Sequence, residues 1–262
     1  MPGVRRALPA YLPHVSLALS ARDLTHRFGG VTALDGVSLD VSAGTLTALV
    51  GESGSGKTTL LRSFNRLVDP DSGTVTLGDA NVRTMDPTAL RRRIGYVPQN
   101  GGLLPHWDVR RNVALVPRLA GSPDATRAAD EALALVGLDP GRFGSRLPRE
   151  LSGGQRQRAA LARALAARQE VVLLDEPFGA LDAITRGEAH EMLARVRGEA
   201  GFTALLVTHD LAEAALLADR VAVMRDGRIE QEGPIVELHR APATEYVATL
   251  FARASAAALR LA

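Results

Sequence analysis

The sequence predicts an α/β fold: a parallel sheet with helices on its faces, interrupted by a helical lobe. Three observations carry that expectation. Beyond residue 170 strand and helix patterns alternate, over residues 171–174, 183–197, 203–207 and 211–217, as expected of parallel strands joined by crossover helices. An apolar strand over residues 45–50 runs directly into a glycine-rich loop and then a helix. Between these stretches, from about residue 100 to 168, the apolar periodicity is helical.

Taken in chain order, residues 20–50 read as short alternating strands divided by turn signals at Gly29-Gly30, Asp35-Gly36 and Ala43-Gly44. Residues 57–67 predict a helix with Leu60, Leu61, Phe64 and Leu67 on one face. Residues 74–77 and 94–97 predict strands. In the lobe, helices over residues 109–119 and 125–136 are separated by a loop at Gly121 and Pro123, and a third helix covers 156–167. From Glu245 the chain reads as a helix fraying into an alanine-rich tail. There is no internal repeat, low-complexity tract or evident linker.

The 262 residues suit one large domain, or a core plus a lobe. A net charge of +2 argues against a nucleic-acid partner held by bulk electrostatics. With no cysteine, disulfides and thiolate metal sites are excluded. No window supplies the roughly 20 apolar residues of a membrane-crossing helix. The opening, residues 1–16, carries Arg5 and Arg6 before a weakly apolar stretch broken by Pro9 and Pro13. It fails as a signal peptide and reads as a loose extension. Work at a membrane would require docking onto another subunit. The basic residues are unusual: of 31, only Lys57 is a lysine and the rest are arginine. That exception points to a site needing a compact ammonium rather than a planar fork.

Lys57 lies in Gly51-Glu-Ser-Gly-Ser-Gly56-Lys57-Thr58, a GxxxxGK[ST] loop between strand and helix. Its glycines let backbone N–H groups turn toward phosphate oxygens, and the following helix adds positive potential. Nucleotide contacts are expected from Gly51, Ser53, Gly54, Ser55, Gly56, Lys57, Thr58 and Thr59, with Lys57 on the β- and γ-phosphates and the Thr58 hydroxyl on Mg²⁺. ATP and Mg²⁺ are the expected cofactors. Farther on, Val171-Val-Leu-Leu174-Asp175-Glu176 sets two carboxylates at the carboxyl end of a buried strand, where parallel sheets bind ligands. Asp175 is placed to hold Mg²⁺ through its water shell and Glu176 to polarise the attacking water. Leu151-Ser152-Gly153-Gly154-Gln155 opens a helix and makes a second anion-seeking loop. One phosphate loop already serves a triphosphate, so a second hints at a nucleotide held between two copies.

From about residue 17 to 250 the chain resembles the ATP-binding subunits of ABC transporters. The resemblance rests on the phosphate loop, Gln99 in Tyr96-Val-Pro-Gln99, the 151–155 loop, Asp175-Glu176, Gly179-Ala-Leu-Asp182 and His209 in Val207-Thr-His209-Asp210, in that order. It implies a RecA-like P-loop NTPase core with an antiparallel β subdomain and an inserted helical lobe. It also implies roles. Phe28 stacks on adenine, Gln99 senses Mg²⁺ and the attacking water, and His209 is the switch histidine. Ser152, Gly153, Gly154 and Gln155 bind the nucleotide across a homodimer, with Ser152 and Gly154 touching its γ-phosphate, and Asp182 belongs to a loop beside the nucleotide. Two departures are small: Phe28 stands where tyrosine is commoner, and Gly179 where serine is usual. Taken singly, Phe28 also suits a core, His209 a structural role and Gln99 a surface.

The resemblance implies a peripheral ATPase on the cytoplasmic face of the membrane. It would drive permease subunits and, indirectly, serve a solute-binding protein. Soluble ABC ATPases of DNA repair insert long coiled coils, and those of translation carry two cassettes; neither pattern is present. Residues 85–117 resemble importers of glycine betaine, choline and other osmoprotectants, leaving importers of other small solutes as the alternative. Trp107 falls there, at a docking surface or packed within the lobe. Many such relatives carry a C-terminal pair of CBS modules, for which a tail over residues 251–262 leaves no room.

Overall fold

The computed structural model describes residues 16–259. The extension expected over residues 1–16 lies, Ser16 apart, outside the described residues, as does the end of the tail. Two sheets organise the molecule. The first is antiparallel, with strand order β2-β1-β4-β5, built from β1 (Leu19–Phe28), β2 (Val31–Val41), β4 (Ser72–Leu77) and β5 (Ala80–Asn81). The second has the order β10-β9-β3-β8-β7-β6, from β3 (Leu46–Val50), β6 (Ile94–Val97), β7 (Val171–Asp175), β8 (Thr203–Thr208), β9 (Arg220–Arg225) and β10 (Arg228–Gly233). All its pairings are parallel except that of β9 with the edge strand β10.

The central strands β3, β7 and β8 are buried along their whole length, which explains their unbroken apolar runs. Alternate side chains enter different cores, as the two-residue period of a strand requires. Leu49, Leu173 and Leu205 face the antiparallel sheet and α1 (Lys57–Phe64). Leu46, Leu174 and Leu206 face the other way, toward α8 (Ala183–Ala200) and the lobe. The lobe comprises α3 (Val109–Val113), α4 (Leu115–Leu119), α5 (Ala125–Leu135), α6 (Pro140–Phe143) and α7 (Gly153–Leu165). A third core joins Ala48 and Val50 to α9 (Leu211–Leu217), α10 (Ile235–Arg240) and α11 (Glu245–Leu259). Among the described residues no helix is long and apolar enough to cross a membrane.

Three sequence expectations are corrected. The helix expected to reach residue 67 stops at Phe64. Arg66 turns to a φ of 54°, the N–H groups of Leu67 and Val68 both bond to Arg62 O, and Leu67 is exposed. The helix over 109–119 is two, broken at Ala114. Pro117 has no N–H to give the carbonyl of Val113, and its ring crowds that carbonyl. Asp35-Gly36 is no turn but a kink within β2, where the register against β1 slips. There Asp35 N donates to Gly227 O at 2.9 Å and the Asp35 carboxylate accepts from Arg228. The β9–β10 hairpin and α2 (Pro87–Arg93) are elements the sequence pattern did not announce. Trp107 is half-buried, with the Arg111 guanidinium 4.1 Å from its ring centre.

Candidate active site

The chain leaves β3 at Val50 and winds through residues 51–56 into α1. Glycine is needed twice for space as well as for dihedral angle. Gly51 has a φ of 151° and Gly56 of 100°. A Cβ on Gly51 would enter the carbonyl oxygen of Met224 in β9, and one on Gly56 that of Ala33 in β2. Gly227 N, from the β9–β10 turn, donates to Ser55 O at 3.1 Å. The loop is thus braced by neighbouring backbone on two sides. Ser53 and Gly54 are exposed, while Ser55, Gly56 and Lys57 are buried. The Lys57 ammonium donates to Gly51 O (2.8 Å), Glu52 O (2.7 Å) and Ser55 Oγ (3.2 Å), one acceptor for each of its protons. Burial lowers its pKa, and the nearby Glu176 and Asp175 oppose that shift.

Asp175 is the last residue of β7 and is 2% exposed. Its Oδ1 accepts from Thr58 Oγ1 at 2.8 Å. Its Oδ2 accepts from Arg62 Nη2 and Tyr96 Oη, each at 3.2 Å. Burial pushes the Tyr96 phenol up from its ordinary pKa, keeping it a donor. Glu176 follows with a φ of 45°, a strained conformation for a residue with a Cβ. Its N–H donates to Val207 O at 3.0 Å. Its Oε2 accepts from Gln99 Nε2 at 3.1 Å and lies 3.5 Å from His209 Nδ1. These three residues follow β6, β7 and β8, which are neighbours in the sheet. Their meeting at the carboxyl edge therefore follows from strand order.

The donor set suits a nucleotide with its metal. Thr58 Oγ1 and Asp175 Oδ1 are a pair of hard oxygens that meet at one point of the site. That matches a magnesium ion held by one or two protein oxygens plus phosphates. Phe28, at the end of β1, is 54% exposed with the His26 ring edge-on at 4.5 Å. It is available for stacking. Thr59 is half-buried beside Thr58 in α1.

The remaining sequence-predicted residues are engaged elsewhere. Ser152 caps α7: its Oγ accepts from Gln155 N at 3.2 Å, and Gln155 Oε1 accepts from Ser152 N at 3.0 Å. Gly153 is exposed, and Gly154 is buried against Thr185 at the start of α8. Asp182 caps α8, accepting from Ile184 N and Thr185 N at 3.1 and 3.0 Å. Those bonds, that of Thr185 first, hold its carboxyl below the usual range. The fold therefore gathers Lys57, Thr58, Gln99, Asp175, Glu176 and His209 at the carboxyl edge of the parallel sheet, and gives the 151–155 loop and Asp182 bonds within their own turns. Sequence reasoning missed Arg62 and Tyr96. The spacing of Thr58 and Arg62, four residues apart on one helix face, was the available signal for Arg62.

Residues 34–179, more than half of the chain, match the family described as ABC transporter. The chain belongs to the ABC transporter family. It is 48% identical over 235 residues to the sulfate/thiosulfate import ATP-binding protein CysA of Mycobacterium bovis, covering 89% of this chain and 66% of that protein. It is 43% identical over 221 residues to the glycine betaine/carnitine/choline transport ATP-binding protein OpuCA of Bacillus subtilis, covering 84% and 58%. Against the glycine betaine uptake system ATP-binding protein YehX of Escherichia coli it is 42% identical over 228 residues, covering 86% and 74%. The chain thus spans just under two thirds of the length of CysA and less of OpuCA. A bacterial ABC transporter cassette solved as a dimer is similar with a TM-score of 0.74 and 31% identity, over 83% of this chain and 98% of that one. A post-hydrolysis dimer bound to ADP and phosphate gives 0.73 at the same identity and coverage. The fold is the P-loop cassette fold of ABC transporter ATPases, with its parallel and antiparallel sheets.

Proposed function

We propose that this chain hydrolyses ATP and thereby drives a separate membrane permease that imports a small solute. The observation that carries the proposal is the Glu176 carboxylate, set between Gln99 and His209 and one residue from the Asp175–Thr58 pair. Backbone N–H groups of residues 51–59 and the Lys57 ammonium hold the β- and γ-phosphates. Thr58 and Asp175, together with Gln99, would hold Mg²⁺. When bound, that ion neutralises charge on the phosphate oxygens. Glu176 takes the proton of a water whose oxygen bonds to the γ-phosphorus as the bond to the β–γ bridging oxygen breaks and ADP leaves. Gln99 and His209 orient that carboxylate. Phe28 stacks on the adenine. Residues 152–155 of a second copy, with Asp182 nearby, complete the site, so the working unit is a homodimer. Its partners are permease subunits at the cytoplasmic face of the membrane and, through them, a solute-binding protein; nucleic acid is not among them.

The cargo supported by residues 85–117 is a quaternary amine such as glycine betaine or choline. A second candidate, an inorganic oxyanion, is favoured by the 48% identity to a sulfate/thiosulfate import protein. The Glu176→Gln variant tests both levels. Its purified form is expected to bind ATP and to turn over at least about 100-fold more slowly. Hydrolysis at the native rate removes Glu176 from the chemistry. In source cells, uptake of labelled glycine betaine that the variant abolishes supports the amine. Loss confined to labelled sulfate assigns the oxyanion instead.

A further inference from the structure

Both oxygens of Asp175 are occupied by protein donors, and the two sides differ. Among the described residues, Oδ1 is bound by Thr58 alone. Oδ2 is bound by Arg62 and Tyr96, which also bond to each other, Arg62 Nε donating to Tyr96 Oη at 3.3 Å. The result is a closed ring: guanidinium to phenol, phenol to carboxylate, guanidinium to carboxylate. The carboxylate side chain is 3% exposed while that of Arg62 is 42% exposed, so the charge partner reaches in from the wetter side. A buried carboxylate is costly unless donors satisfy its oxygens.

Each member arrives from a different element. Arg62 stands one turn beyond Thr58 in α1, on the same face. Tyr96 pairs in register with Leu173 of β7, two residues before Asp175, so the phenol and the carboxylate share the sheet face covered by α1. Helix α1, strand β6 and strand β7 therefore meet at one carboxylate. Tyr96 also lies three residues before Gln99, on the strand that delivers the glutamine to Glu176.

We propose that Arg62 and Tyr96 are positioning residues that hold Asp175 by Oδ2 and so reserve Oδ1, with Thr58, for the magnesium of the bound nucleotide. This rests on the assignment of Thr58 and Asp175 as the magnesium residues. Tyr96 further ties that carboxylate to the strand preceding Gln99, so a shift of the Gln99 loop is felt at the metal side of the site. Neither residue touches the nucleotide.

The test is the magnesium concentration needed to tighten binding of a non-hydrolysable ATP analogue to the full chain, measured by calorimetry and compared with binding in EDTA. Tyr96→Phe keeps the ring and removes the donor. Arg62→Lys keeps the charge and removes the fork that spans phenol and carboxylate. Each variant is expected to raise the half-saturating magnesium concentration about tenfold, the scale of one hydrogen bond to a charged group. Affinity in EDTA should stay within about twofold, and the double variant should cost less than the two combined, since both act through one ring. A merely structural role would lower the melting temperature and leave the magnesium dependence untouched; that result in either variant overturns the proposal. Asp175→Asn separates the two levels. If it abolishes the magnesium effect while Tyr96→Phe and Arg62→Lys behave as wild type, only the positioning role fails. If it too leaves the magnesium effect unchanged, the magnesium assignment fails and the positioning role with it.

Discussion

The two loops that read as phosphate-seeking in the sequence are built in opposite ways. The loop over residues 51–56 is held from outside: backbone of β2 and β9 closes on Gly56 and Gly51, Gly227 donates to Ser55, and the Lys57 ammonium is buried against loop carbonyls. The loop over residues 151–155, with Leu151 in the core and Gly154 against Thr185, is held at its outer face from within. Ser152 and Gln155 satisfy each other in a capping box, and Ser152 and Gly153 stay exposed. A loop braced by tertiary contacts keeps its shape only while the fold around it is intact. One capped by its own residues keeps its shape while presenting a face outward. The first arrangement suits a site that must grip a nucleotide within the chain. The second suits a surface offered to a nucleotide on another copy.

Substitutions can break or sharpen that contrast. The largest effect is expected from Gly51→Ala. Its methyl would enter the Met224 carbonyl oxygen, which is backbone and cannot rotate aside, so a loss above about 4 kcal/mol is expected, seen as poor recovery of folded protein or a collapsed melting transition. A near-native melting temperature would show that the brace is not needed. Ser152→Ala removes a cap and should cost about 1 kcal/mol of stability by denaturant melts. Hydrolysis should fall much further than nucleotide binding by the single chain. Equal, slight changes in both would confine Ser152 to capping. The smallest effect is expected from Gly154→Ala. A methyl there would run into Thr185 Cγ2, so that stiff β-branched side chain must shift. A gain in helix propensity of up to about 1 kcal/mol offsets part of an overpacking cost of about 1–3 kcal/mol, leaving a net loss of about 1 kcal/mol by denaturant melts.

Most of the second loop was legible in the sequence, since a cap needs only Ser152 and Gln155 at the right spacing. The first was legible as a motif but not as a braced structure. Nothing in residues 51–58 announces Ala33, Met224 or Gly227, which lie in strands and a turn remote in sequence. Arg62 and Tyr96 were overlooked for the same reason. Each has an ordinary surface or core reading until β6 and α1 are placed on either side of Asp175. The break at Ala114 was, by contrast, readable from Pro117 alone.

By itself the sequence determined the local forms: buried strands from unbroken apolar runs, the glycine-rich turn after Val50, the paired acids at the end of β7, and the helix opening at Ser152. These follow from side-chain chemistry within a few residues of itself. Only the tertiary structure decided that β6, β7 and β8 lie side by side, bringing Gln99, Glu176 and His209 together, and that one carboxylate takes donors from α1 and β6. The physical reason is that an apolar period records which face of a strand is buried. It carries no record of which strand lies alongside, and the chemistry here depends on those neighbours.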